Sequence, residues 1–197
     1  MTKKNILLTM FIVLLIFSRC NNSSVLEPAP SASIAKSGHT HQLLSAKDSA
    51  ELVSKTIRVT GDVQHELNLT ADSLRKMKTV NLDDLNVVCQ SGATVKTDKT
   101  SKGVLLKDIL EKAVIKQSDH KDRNFIIVAR ASDNYKATFS WAELFNNPTG
   151  ESTYVLFEEN GKPILKTGNM ILICTNDIKT GPRHVNWLKS IEVMRVN

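Results

Sequence analysis

Apolar and polar residues alternate along much of this chain, and the period of the alternation changes from segment to segment. Ile57 and Val59 alternate with polar neighbours up to Gly61, and Val63, His65, Leu67 and Leu69 alternate again. Both stretches predict strands with one buried face. Thr70 then predicts the N-cap of a short helix with Leu74 and Met77 on one side. Residues 80–89 are apolar-rich and predict a strand ending at Cys89, followed by a polar loop over 90–102. Residues 104–113 place Leu105, Ile109 and Leu110 at helical spacing, with Lys107 and Asp108 on the other side. Residues 125–129 form a continuous apolar run, as in a central strand. Ser132-Asp133-Asn134 marks a turn before the alternation of Tyr135, Ala137 and Phe139. Ser140 and Glu143 have the spacing of a capping box and open a helix through Phe145. Asn160-Gly161, between the apolar segments 154–157 and 163–165, predicts a hairpin. Residues 170–174 predict a further buried strand, and Ile191, Val193 and Arg195 alternate towards the end. About eight short strands and three short helices, irregularly interspersed, predict a mixed, mainly-β α+β domain and not a regular βαβ repeat.

The first fifty residues do not share this patterning. Lys3 and Lys4 precede an apolar run over residues 6–17, then Ser18-Arg19-Cys20. A short basic region before such a run predicts a secretion signal over residues 1–20. The run is too short to span a bilayer, which takes about 20 apolar residues. Cys20 stands where a lipoprotein signal is cut and its cysteine acylated; Ser18 suits that pattern and Arg19 departs from it. The expectation is an exported lipoprotein held on the bacterial cell envelope through a lipid anchor, or a periplasmic protein if the chain is cut without acylation. Residues 21–50, rich in Ser, Ala, Asn and Pro, predict a flexible tether. Residues 51–197 suit one domain of ordinary size.

Charge and composition narrow the function classes. Loss of Lys3, Lys4 and Arg19 with the signal lowers the formal charge from +6 to +3. No dense Lys/Arg stripe remains, and only two Trp and two Tyr are available for stacking, which argues against a nucleic-acid partner. Cys89 and Cys174 leave three readings open: a disulfide, buried thiols, or a metal ligand. His39 and His41 have the spacing of a metal pair but no third ligand in view. Asp83-Asp84 reads as a solvated turn and not as an acid–base pair.

The order of the segments carries a resemblance. It runs through Val59-Thr60-Gly61-Asp62-Val63, then Leu67-Asn68-Leu69-Thr70 with a short helix, then Cys89-Gln90-Ser91-Gly92. Next come Gly103-Val104-Leu105-Leu106-Lys107-Asp108-Ile109-Leu110 and Ala131-Ser132-Asp133-Asn134-Tyr135. Asn160-Gly161-Lys162-Pro163 and the closing segment Gly181-Pro182-Arg183-His184-Val185-Asn186-Trp187-Leu188 complete it. Across residues 57–196 this resembles the molybdopterin-binding domain of the sulfite oxidase family, in a small single-domain form. The resemblance implies a molybdenum–molybdopterin cofactor with Cys89 as the protein thiolate on the metal, a soft ligand beside the dithiolene sulfurs of the pterin. It implies that Lys179, Gly181, Arg183 and His184 bind the cofactor, with the backbone near Gly181 and the guanidinium of Arg183 suited to the pterin phosphate. It also implies oxygen-atom-transfer redox chemistry on a small-molecule substrate.

The same resemblance exposes departures. Full-length relatives carry arginines after the metal cysteine for anionic substrates; Gln90, Ser91, Gly92, Ala93 and Thr94 stand here. Gly168-Asn169-Met170-Ile171 lacks the arginine that the family has before its late strand, and Asn186 replaces a common lysine. The paired Lys3-Lys4, with no arginine pair, resembles the export route for unfolded chains, so a cofactor would be acquired after export. Two functions therefore stand side by side: an exported molybdopterin-dependent oxidoreductase, and a cofactor-free envelope module that keeps the fold to bind a ligand or an envelope protein partner.

Overall fold

Two five-stranded sheets organise residues 50–96 and 99–197, the residues that this computed structural model describes. The signal segment, Cys20 and the His39/His41 pair lie outside the described residues. In chain order the elements are β1 (Ile57–Gly61), β2 (Leu67–Leu69), α1 (Ala71–Arg75), β3 (Thr79–Leu82), β4 (Asn86–Val88), β5 (Thr94–Lys96), β6 (Ser101–Leu105), α2 (Leu106–Ala113), β7 (Phe125–Ala131), β8 (Lys136–Ser140), α3 (Trp141–Phe145), β9 (Thr153–Glu159), β10 (Lys162–Pro163), β11 (Ile171–Cys174) and β12 (Leu188–Arg195). Single 3-10 turns lie at Pro148–Ser152 and Gly181–Arg183.

The first sheet has the order β2-β1-β12-β7-β8, with β1 and β12 parallel and the other pairs antiparallel. In the second, β3, β6 and β9 are neighbours, and both β10 and β11 pair with β9. Both sheets are mixed with short helices, as the α+β reading expects. The expected N-cap at Thr70 is formed and is completed into a capping box by Ser73, and the expected Ser140–Glu143 capping box is formed too.

The second sheet is buried on both faces, and strand alternation accounts for it. Val104, Val155, Phe157, Leu172 and Cys174 belong to the main core. Their strand neighbours Leu105, Tyr154, Leu156, Ile171 and Ile173 belong to a second apolar cluster. Val80, Leu82, Leu85 and Val87 pack against that second cluster. Continuous apolar runs such as Ile171–Cys174 are therefore the signature of a sheet covered twice.

Four expectations are corrected. The predicted single strand over 80–89 is two, β3 and β4, split at a turn where Asp84 has φ 51°. They belong to different sheets, because β4 pairs only with β5 in a separate hairpin. The predicted polar loop over 90–102 contains β5 and the start of β6, where Thr, Val, Lys and Ser satisfy a strand as readily as a loop. Val104 and Leu105 close β6, and the helix begins only at Leu106. Val63 forms a single bridge to Ile115 and not a strand with Leu67.

Candidate functional site

The connection from β11 to β12 crosses from the second sheet to the first, and along this crossing the residues singled out above come together. Within it, Lys179, Thr180 and Gly181 pack against the β4–β5 hairpin. Cys89 directly follows β4, and its N–H donates to the Ala93 carbonyl (2.8 Å) while its own carbonyl accepts from Gly92 N–H (2.9 Å). Gly92 takes φ 90°, the left-handed conformation that lets so tight a turn close. The turn holds Cys89 at the hairpin tip, partly exposed and unbridged.

Thr180 joins the crossing to the hairpin. Its buried hydroxyl accepts from Val88 N–H (2.9 Å) and donates to the Asn86 carbonyl (3.0 Å). Those two groups form the outer edge of β4, the side away from β5, so one side chain does the work of a neighbouring strand. Lys179 Nζ donates to the Gln90 carbonyl (2.5 Å). Gly181 lies so close that a side-chain carbon there would stand 3.2 Å from Cys89 Cα and 3.0 Å from the Val88 carbonyl oxygen. The Tyr135 hydroxyl donates to the Pro182 carbonyl (2.7 Å) and ties the same segment to the β7–β8 turn. Cys89, Lys179 and Gly181 are thus brought together.

Arg183 has different partners. Its Nε donates to Asp177 (2.7 Å), Nη2 also bonds Asp177, and Nη1 donates to Glu143 (2.9 Å). Its Cζ stands 4.5 Å from the centre of the Phe139 ring. Two carboxylates and an aromatic face occupy a guanidinium that the resemblance assigns to a phosphate. Asp177 above all, with Glu143, drives its pKa up, so it stays charged. Burial pushes Glu143 upward, but the Ser140 N–H and Arg183 together bring it below the ordinary carboxylate value. Neither Asp177 nor Glu143 stands out in the sequence as a partner; the (i, i−6) spacing of Asp177 to Arg183 is the only local signal.

His184 donates its N–H to the Gly181 carbonyl (3.1 Å). Burial pushes its imidazole below the usual value against a weaker opposing pull from Glu159, which keeps it neutral near pH 7. It borders a cleft of about 290 Å³ between the hairpin and the outer face of the second sheet. Cys174 is fully buried and its thiol is pushed up by burial, in keeping with a core role. Cys89 and Cys174 are both free, so no disulfide joins them.

A molybdenum cofactor that carries its own dithiolene sulfurs needs one protein thiolate and polar groups for the pterin. Cys89 is a free, reachable soft donor. Among the described residues no three His, Cys, Asp or Glu side chains gather into a cage that would hold a bare ion. On the same crossing, Asn186 Oδ1 and Trp187 Nε1 are buried without hydrogen-bond partners in the protein. An unpartnered acceptor and an unpartnered donor on consecutive residues are groups that a heterocycle can satisfy. Trp187 is held at φ 48° against Gly168, where a side-chain carbon would come within 2.8 Å of Trp187 Cα. The residues fit the group at Cys89, Asn186 and Trp187, and Arg183 stands apart from it.

The model of a family described as the oxidoreductase molybdopterin binding domain matches residues 47–197. Among solved structures, the fold is similar to that of the sulfane dehydrogenase SoxCD from Paracoccus pantotrophus, with a TM-score of 0.56 at 15% sequence identity. The match covers 75% of this chain and 40% of that one, so this chain spans well under half of that protein's length. A search of curated proteins finds no match.

Two outcomes are expected. Thr180→Val should leave Val88 N–H and the Asn86 carbonyl unpaired and lower stability by about 1–3 kcal/mol, with faster alkylation of Cys89 by iodoacetamide; an unchanged alkylation rate would detach Thr180 from the hairpin's placement. Because Glu143 is depressed when folded, its stabilisation is present above the ordinary carboxylate value and is lost as the pH falls through the depressed one. Urea denaturation at stepped pH should therefore separate wild type from Glu143→Gln at neutral pH and bring them together in acid.

Proposed function

Because the chain belongs to the oxidoreductase molybdopterin-binding domain family, we propose that it is an exported molybdopterin-dependent oxidoreductase with Cys89 as the protein ligand to molybdenum. The observation that carries this reading is the free Cys89 thiol at a hairpin tip fastened from behind by Lys179, Thr180 and Gly181. When bound, the cofactor would supply transfer of an oxygen atom, with two electrons, to or from a small substrate.

The chain's own residues have narrower tasks. Cys89 would bind the metal as thiolate. The Thr180 hydroxyl and the Gly181 backbone hold the hairpin that carries it. Asn186 Oδ1 and Trp187 Nε1 would accept from and donate to the pterin. Neutral His184 can donate one hydrogen bond and accept another at the neighbouring cleft. Arg183 is assigned to holding the crossing in place, because its charge is already matched by Asp177 and Glu143.

The pairing of Arg183 also favours the second reading, a cofactor-free envelope module. Metal analysis separates the two. Full-length protein purified natively should contain about one molybdenum per chain, falling below about a tenth of that in Cys89→Ser, given that the thiolate is the protein's bond to the metal. A wild type without molybdenum would favour the module. Export and the lipid anchor rest on Lys3-Lys4, the apolar run and Cys20. In a bacterial host the protein should sediment with membranes and Cys20→Ser should release it; equal distribution of the two would rule out acylation at Cys20.

A further inference from the structure

The cleft beside the hairpin has a chemistry of its own. Val87 of β4, two residues before Cys89, lines one wall with its cross-strand partner Val95. Leu156, Ile171 and Ile173 line the other. With about 290 Å³ it has room for a small organic molecule. Its charges cancel internally: Lys99 Nζ and Glu159 are paired at 2.7 Å, and His184 is neutral. An anion entering would give up water without meeting an unmatched cation. One polar group inside is unusual. Ser101 is 2% exposed and lines the cleft, a hydroxyl residue set among apolar walls.

We propose that this cleft binds an uncharged small organic molecule, seating its apolar body on Val87, Val95, Ile171 and Ile173 and its hydrogen-bonding group at the Ser101 hydroxyl. As the substrate class of the enzyme this rests on the redox reading above; as a binding site it does not. The departure at residues 90–94, where no cation follows Cys89 in the chain, points the same way; the cation that the crossing brings to that turn, Lys179, is bonded to the Gln90 carbonyl, outside the cleft lining. The adjoining surface groove does carry Lys162 and Lys166, so a small anion would be drawn to that groove and not into the cleft.

The test compares two probes of one shape and different charge, cyclohexanone and cyclohexanecarboxylate. Each is titrated into the full chain labelled on Val and Ile methyl groups and followed by NMR, with molybdenum measured on the same samples. Cyclohexanone should shift the methyls of Val87, Val95, Ile171 and Ile173 saturably, with a dissociation constant on the order of millimolar for so few atoms. The carboxylate should bind there at least about tenfold more weakly. Ser101→Ala should weaken cyclohexanone several-fold, and Val95→Lys, at a position 55% exposed, should reverse the preference. Carboxylate binding as tight as cyclohexanone, or no saturable shift at these methyls, would overturn the proposal. So would cyclohexanone binding that falls in proportion to molybdenum content, since the cofactor would then fill the cleft. Cyclohexanone binding in protein that acquires no molybdenum would remove the redox reading and leave the site; molybdenum with no cyclohexanone binding would do the reverse.

Discussion

The second sheet has apolar side chains on both faces, and the rest of the architecture answers to that constraint. One face is covered by the main core shared with the first sheet. The other needs a cover that neither sheet provides. Leu85 and Val87, around the start of the β4–β5 hairpin, supply part of it by packing on the cluster of Leu105, Leu156, Ile171 and Ile173. The hydrophobic effect thereby places a short hairpin, which would not be stable alone, on the outside of the sheet. It also places Cys89, at the hairpin tip, next to the crossing between the sheets.

Apolar packing sets the hairpin's position only approximately; the polar contacts set its orientation. Thr180 saturates the outer edge of β4, Lys179 caps the turn, and Gly181 allows backbone to meet backbone. Arg183 anchors the same segment to α3 and to Phe139. The division of labour explains why a cation that fits an anion-binding pattern ends up between two carboxylates: a crossing with little regular structure needs its ends fixed, and a planar guanidinium fixes it in three directions at once.

Much of this was legible in the sequence, for identifiable reasons. Strands with one buried face, such as β1, β8 and β12, announce themselves by alternation, and the Thr70 N-cap and the Ser140–Glu143 capping box are local patterns. The Asn160-Gly161 hairpin is local too. The family was readable from the order of segments, and the family match and the fold bear it out. What stayed hidden was non-local. Residues 80–89 look continuous because apolarity does not record which sheet a residue joins, and the break depends on Asp84 entering the left-handed region. Thr94–Lys96 reads as loop because its partner strand is only three residues long. The fate of Arg183 depends on Asp177 and Glu143, one on a loop and one on a helix, and no spacing rule joins the three. The cleft could not be read at all, since its walls come from the β4–β5 hairpin and from the far side of a sheet.

The double cover of the second sheet has an evolutionary consequence. The main core and the outer cluster share a sheet but not side chains, because alternation sends successive residues to opposite sides. Substitutions in the outer layer can accumulate while the inner one keeps the chain folded. A lineage built this way can exchange one ligand for another, or abandon a cofactor altogether, without passing through an unfolded ancestor.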